Sequence, residues 1–183
     1  MTEHLNTIYK YFPKDIHPSD LNYINTPECK LQWELIENSR NNDHLFLEMC
    51  HHLTDKLNFK SFQDMSLQGI FDLSGKAVFY LPDTSEMGYP CCIINVIIIA
   101  PLYAVYFSAF SGGANNTLNK TPVEAKHQSL IDGSIALIIN DYFPNYKPFP
   151  MDFYSEEIPG IRSAKRYNKY ATYFECLLTD ESI

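Results

Sequence analysis

The chain has 183 residues, 45% of them hydrophobic and 20% charged, with a formal net charge of −8. That length and balance describe a folded domain with a sizeable core and exclude a disordered chain. The acidic excess argues against nucleic acid as a partner, because phosphate binding needs surplus Lys and Arg, and it permits a basic protein partner.

In chain order, Leu5 to Phe12 predicts a short helix or strand, and Pro13 and Pro18 then mark a loop. Thr26 is a good cap, Pro27 suits the first helical position, and Glu28 suits the positive end of the helix dipole, so a helix begins there. Leu31, Trp33, Leu35 and Ile36 are its candidate buried side, and the polar run from Asn38 to Asn42 stops it. Asp43 caps a second helix, about His44 to Leu57, in which Phe46, Met49, Cys50, Leu53 and Leu57 recur at helical spacing. Further on, Ser74-Gly75-Lys76 reads as a turn between strands at Gln68–Leu73 and Lys76–Leu81. Pro82 to Pro90 is a loop that carries Asp83, Glu86 and Tyr89.

Cys91 to Phe110 is uncharged over 20 residues, which is long enough to raise the question of a membrane span. Pro101 near its middle, the β-branched run Ile93–Ile99 and the lack of basic flanks argue against one. Two strands are expected instead, about Cys91–Ile99 and Leu102–Phe110, the first buried on both faces. A single strand bent at Pro101 is the competing reading. Tyr103 or Tyr106 should mark the wetter side of the second strand.

Thr121-Pro122-Val123-Glu124 is a capping box with Pro at the first helical position. It opens a helix expected to run to about Asn140 or Asp141 and to pack on the sheet through Ile131, Ile135 and Ile138. Pro144, Pro148, Pro150 and Pro159 predict an irregular stretch over residues 143–160, with Asp152, Glu156 and Glu157 exposed. Arg162 to Leu178 turns from basic to apolar, as in a closing strand or helix. The whole predicts one α+β domain over residues 1–183. N-terminal helices lead into a central, mostly antiparallel sheet, and a later helix packs on that sheet.

Catalytic signatures are missing. His44, Glu48 and His51 share a helix face at a spacing that zinc sites use, but the same face is the complement of the apolar stripe and reads as solvated. No metal and no cofactor is therefore expected. Cys50 lies on the apolar stripe, and Cys91-Cys92 point to opposite faces of a strand, so neither forms a redox pair. Ser111-Gly112-Gly113 follows a strand without the residues of a phosphate loop. Arg162, Lys165, Arg166 and Lys169 have helical spacing and read as a solvated, charge-balancing helix face rather than a phosphate-binding stripe. Five cysteines without regular spacing and a start lacking a basic, apolar leader suggest a cytoplasmic location.

A single small acidic domain with acidic loops (PDTSEMGYP and MDFYSEEIPG) and tyrosines at Tyr89, Tyr142, Tyr146 and Tyr154 is similar in general character to bacterial immunity proteins, which neutralise secreted toxins. That resemblance implies binding to a basic toxin domain and occlusion of its active site. The contact residues would be Asp83, Glu86, Tyr89, Tyr142, Tyr146, Asp152, Tyr154, Glu156 and Glu157, in a protein that is a monomer or homodimer. An enzyme without a recognisable motif, using His44, Glu48 and His51, is the alternative. A homo-oligomeric adaptor protein is a third reading.

Overall fold

The computed structural model of the chain describes residues 2–40, 43–66, 73–82, 89–110, 129–166 and 168–178. At its centre is a five-stranded sheet in the order β1-β2-β3-β4-β5, built from Ser61–Asp64 (β1), Ser74–Tyr80 (β2), Tyr89–Ile97 (β3), Leu102–Phe110 (β4) and Lys147–Pro148 (β5). Neighbours are antiparallel except β5, which joins β4 in parallel. Helices Thr2–Tyr11 (α1), Pro27–Arg40 (α2) and Asp43–Leu57 (α3) precede the sheet. A later helix, Ala136–Tyr142 (α4), is entered through a π-helical turn at Ile131–Ile135. Glu157–Arg162 (β6) and Tyr170–Thr172 (β7) form a second, two-stranded sheet, followed by the helix Tyr173–Leu177 (α5). This is an α+β fold with N-terminal helices, as the patterning predicts.

The apolar stretch at Cys91 to Phe110 is a β-hairpin, paired from Tyr89 with Phe110 to Val96 with Tyr103. The strands are joined by residues 98–101, so β3 stops at Ile97 rather than at Ile99 as expected, and Pro101 shapes the last part of the connection. The Leu102 amide donates to the Ala100 carbonyl at 2.7 Å, closing a three-residue turn whose central φ the proline ring supplies. The bent single strand is thereby ruled out. Along β3, Cys92, Ile94 and Val96 face one way, Cys91, Ile93, Asn95 and Ile97 the other, and all seven are buried. Phe46, Met49, Cys50 and Leu53 of α3, with Ile138 and Ile139 of α4, cover the first face. Ile8 of α1, Ile36 of α2, Ile158 of β6 and Phe174 of α5 pack with Ile97, Leu102 and Ala104 on the second. Each such buried side chain stabilises the fold by about 1.5–3 kcal/mol, so the hairpin anchors both layers.

The helix starts read at Thr26-Pro27 and at Asp43 hold. The Cys29 amide donates to Thr26 Oγ1 at 3.2 Å, and Pro27 opens α2. The buried side of α2 differs from the expected one. Cys29, Gln32 and Ile36 are buried, Leu31 and Leu35 only half-buried, and Trp33 is exposed. Gln32 is buried because it donates to the Tyr11 carbonyl at 2.5 Å, which ties α2 to α1. Asn58 ends α3 with φ +53, and the Phe59 amide then reaches back to the Thr54 carbonyl at 3.1 Å, a left-handed helix stop that turns Phe59 into the core.

Three expectations are corrected. Ser74-Gly75-Lys76 is not a turn; these residues begin β2 and pair with Ile97, Val96 and Asn95. Gly75 is there because a Cβ would stand 3.0 Å from Cδ2 of the Phe46 ring, so helix α3 can close on the sheet only over a glycine. Residues 143–160 are not wholly irregular. β5 lies within them, and β6 runs through Pro159 and Gly160, whose φ of +81 accommodates an irregular register against β7. Arg162 to Lys169 is not a helix face, because Arg162 ends β6 and the described residues after it, 163–166 and 168–169, are not helical. The strand expected at Gln68–Leu73 lies outside the described residues except for Leu73, which is buried. The capping box at Thr121–Glu124 and the Ser111–Gly113 turn lie outside them altogether. Among the described residues no helix is long and apolar enough to cross a membrane.

Candidate functional site

The last turns of α2 and the first turn of α3 lie at the end of the sheet at which β2 starts and β3 stops. A cleft of about 250 Å³ opens there. Leu35, Phe46, Val96 and Phe143 give it apolar walls, and Asp43 and Tyr146 bring a carboxyl and a phenol to the same space. Each element has a local reason for its place. Phe46 lies over Gly75, as above. Tyr146 is set by the turn Phe143-Pro144-Asn145-Tyr146, in which the Tyr146 amide donates to the Phe143 carbonyl at 3.2 Å and Asn145 takes φ +76. Pro followed by Asn is the residue pair that such a turn favours, because the second central position needs a positive φ. The Phe143 and Tyr146 rings then pack with centroids 5.4 Å apart.

At the acid of the cleft the influences that disfavour its charged form outweigh the one that favours it. Desolvation raises the Asp43 carboxyl above the ordinary Asp range and the Asp64 carboxylate raises it further, while Arg40 lowers it. Burial also raises the Tyr146 hydroxyl. An acid held in a desolvated setting beside a second acid gains most from an incoming cation. An ammonium or guanidinium at Asp43 could lay its methylene stem along Leu35 and Phe143, as long basic side chains do on apolar surface.

The residues singled out from the sequence are spread over the molecule. His44, Glu48 and His51 lie on α3, and His51 packs edge-on against Phe62 at 5.1 Å. Among the described residues no group of three or more His, Cys, Asp or Glu could hold a metal ion. Tyr142 is half-buried against His52 at 5.8 Å, on the α3 side of the sheet, and Tyr146 lines the cleft on that side too. Tyr154 packs edge-on against Phe174 at 5.6 Å and belongs to the opposite layer. Asp152 and Glu156 are exposed, and Glu157 accepts a hydrogen bond from Arg166 at 3.1 Å. Tyr89 opens β3, at the end of the strand remote from the cleft by roughly 20 Å. Asp83 and Glu86 lie outside the described residues. The sequence marks Asp43 only as a cap, and nothing in it signals a place in a cleft.

A second polar feature lies on the other face of the sheet. Lys76, 4% exposed, stands opposite Asn95 in the β2–β3 register. Ser74 Oγ donates to Asn95 Oδ1 at 3.3 Å, and Asn95 Nδ2 donates to the Tyr106 hydroxyl at 3.4 Å. Tyr106 is thus the tyrosine on the wetter side of β4, while Tyr103 is buried. The two bonds satisfy the Ser74 hydroxyl and the Asn95 amide, which the sheet would otherwise bury unpaired. The thiols of Cys50, Cys92 and Cys176 are raised by burial, which keeps them protonated and poor nucleophiles. No protein-family model, curated protein or solved structure matches the chain.

Proposed function

We propose that the chain is a protein-binding protein of the immunity type, which neutralises a basic toxin domain by covering its active site. The cleft takes a lysine or arginine side chain of that partner, with Asp43 as the counter-ion and Tyr146 as the aromatic wall. The observation that carries this reading is the meeting of Asp43 and Tyr146 in one partly apolar cleft on an acidic chain. Complementary charge speeds the encounter, and a desolvated anchor supplies affinity. Tyr142, on the same side of the sheet, belongs to the contact surface. Asp152, Tyr154 and Glu156 would serve only a partner that wraps past the sheet edge.

A reducing compartment such as the cytoplasm suits the chain, since all five cysteines are free thiols and buried. The test is co-purification from the source cells, followed by a protection assay against a toxin encoded beside this chain. A stoichiometric basic partner and protection support the reading. Recovery of no basic partner, together with no protection, sinks it.

A further inference from the structure

The edge of the main sheet carries a second inference. Among the described residues β1 pairs only with β2, so it forms one border of the sheet. The Met65 amide donates to the Lys76 carbonyl at 2.7 Å. Antiparallel pairing alternates inward and outward amides, so Ser61 and Gln63 also turn theirs toward β2, while Phe62 and Asp64 turn theirs away from the sheet. At the start of the strand the Lys60 amide turns inward too, to the carbonyl of Tyr80, the register partner of Ser61, at 2.8 Å, so the alternation begins only at Ser61. The Lys60 side chain is exposed. Asp64 is exposed at the other end.

Charge decides what such an edge can accept. Lone charges on an edge strand normally deter pairing. Here they have opposite sign and flank Phe62 symmetrically, two residues to either side. In an antiparallel pair of two such edges centred on Phe62, Lys60 of each copy comes beside Asp64 of the other. The two Phe62 residues, whose amides point outward, exchange both of their backbone bonds. Centring on residue 60 would set Lys against Lys, and centring on residue 64 would set Asp against Asp. Asp64 already lies near the Asp43 carboxylate, so a lysine brought from outside meets a local excess of negative charge. The Ser66 amide donates to Asp64 Oδ1 at 2.8 Å, and the carboxylate keeps lone pairs for a lysine.

We infer that β1 is a self-complementary edge through which two copies of this chain pair antiparallel about Phe62 to form a continuous two-fold sheet. Such an interface is isologous, so one charge reversal acts twice. The test is light scattering or sedimentation of the full chain over a wide concentration range, with K60D and D64K as variants. Both positions are exposed, and circular dichroism checks that each variant is folded. The wild type should approach twice the monomer mass as concentration rises, and each variant alone should remain monomeric. An equimolar mixture of the two variants should restore the dimer, because only the mixed pair sets opposite charges together. A wild type that stays monomeric throughout, or a dimer that survives in both variants, overturns the inference.

Discussion

Arg166 grips Glu175 with two nitrogens, Nε at 3.4 Å from Oε1 and Nη2 at 2.9 Å from Oε2. The same guanidinium donates to Glu157 of β6 at 3.1 Å and to the Tyr170 carbonyl of β7 at 2.6 Å. Glu175 in turn accepts from the Thr172 amide at 2.7 Å and from Ser163 Oγ at 2.8 Å, and with Thr172 it forms a capping box for α5. One ion pair therefore ties the second sheet to the C-terminal helix. Replacing Arg166 with Ala should cost about 2 kcal/mol, the range for hydrogen bonds to charged groups. Lysine should recover little, since it cannot reproduce the fork. Urea titration of the two variants checks this.

The same pair sets a pH dependence. Burial alone would raise the Glu175 carboxyl, but hydrogen bonds from Arg166, Thr172 and Ser163 outweigh it, and the net shift is downward. A depressed folded-state pKa stabilises the fold above the unfolded value, about 4.3 for Glu, and that contribution disappears as pH falls through the folded value. Stability should therefore drop below about pH 4 more steeply in the wild type than in Glu175→Gln, whose curve should be flatter there. Parallel curves for the two proteins would contradict this.

Gly75 under Phe46 predicts an overpacking effect. Gly75→Ala should cost about 1–3 kcal/mol, because the added methyl meets the ring and neither the strand nor the helix can shift freely. Combining it with Phe46→Leu should recover part of the loss, giving a non-additive double-mutant cycle. Thermal unfolding of the four proteins is sufficient.

Much of this architecture is legible in the chain, and the misses have identifiable physics. The starts of α2 and α3 follow from Thr26-Pro27-Glu28 and from the spacing of Phe46, Met49, Cys50 and Leu53, which are local signals. The two strands of the hairpin follow from the β-branched run, but Pro101 suits a bent single strand equally well, and only the pairing of β3 with β4 decides between them. Gly75 misleads because a glycine that permits a turn and one that permits close approach look alike in sequence. The spacing of Arg162, Lys165, Arg166 and Lys169 suggests a helix, but the ion pairs of Arg166 with Glu157 and Glu175 belong to a loop joining two strands. The cleft is invisible for a different reason. Leu35, Asp43, Phe46, Val96, Phe143 and Tyr146 come from separate stretches, and only the pairing of β2 with β3 and the packing of α3 bring them together. Even so, Pro144-Asn145 is a readable turn signal that fixes Tyr146.

Asp43 offers a way to separate binding from folding. Its raised carboxyl lowers stability in the charged form, and this sign is opposite to that of Glu175. Its contribution is most favourable below the unfolded Asp value, about 3.9, and is lost as pH rises through the folded value. Asp43→Asn removes the repulsion with Asp64 and gives up the favourable dipole term of an acid in the first helical turn, about 0.3–1 kcal/mol. The two effects oppose each other, so the melting point should move little. Tyr146→Ala removes the aromatic wall of the cleft at a half-buried site.

The most direct test is titration calorimetry of wild type, Asp43→Asn and Tyr146→Ala with the basic partner recovered from source cells. A one-to-one complex is expected, weakened at least tenfold in each folded variant, which corresponds to about 1.4 kcal/mol or more. Affinity in the wild type should also fall as pH is lowered through the raised Asp43 carboxyl. Equal affinity for all three proteins would contradict the cleft as the binding site.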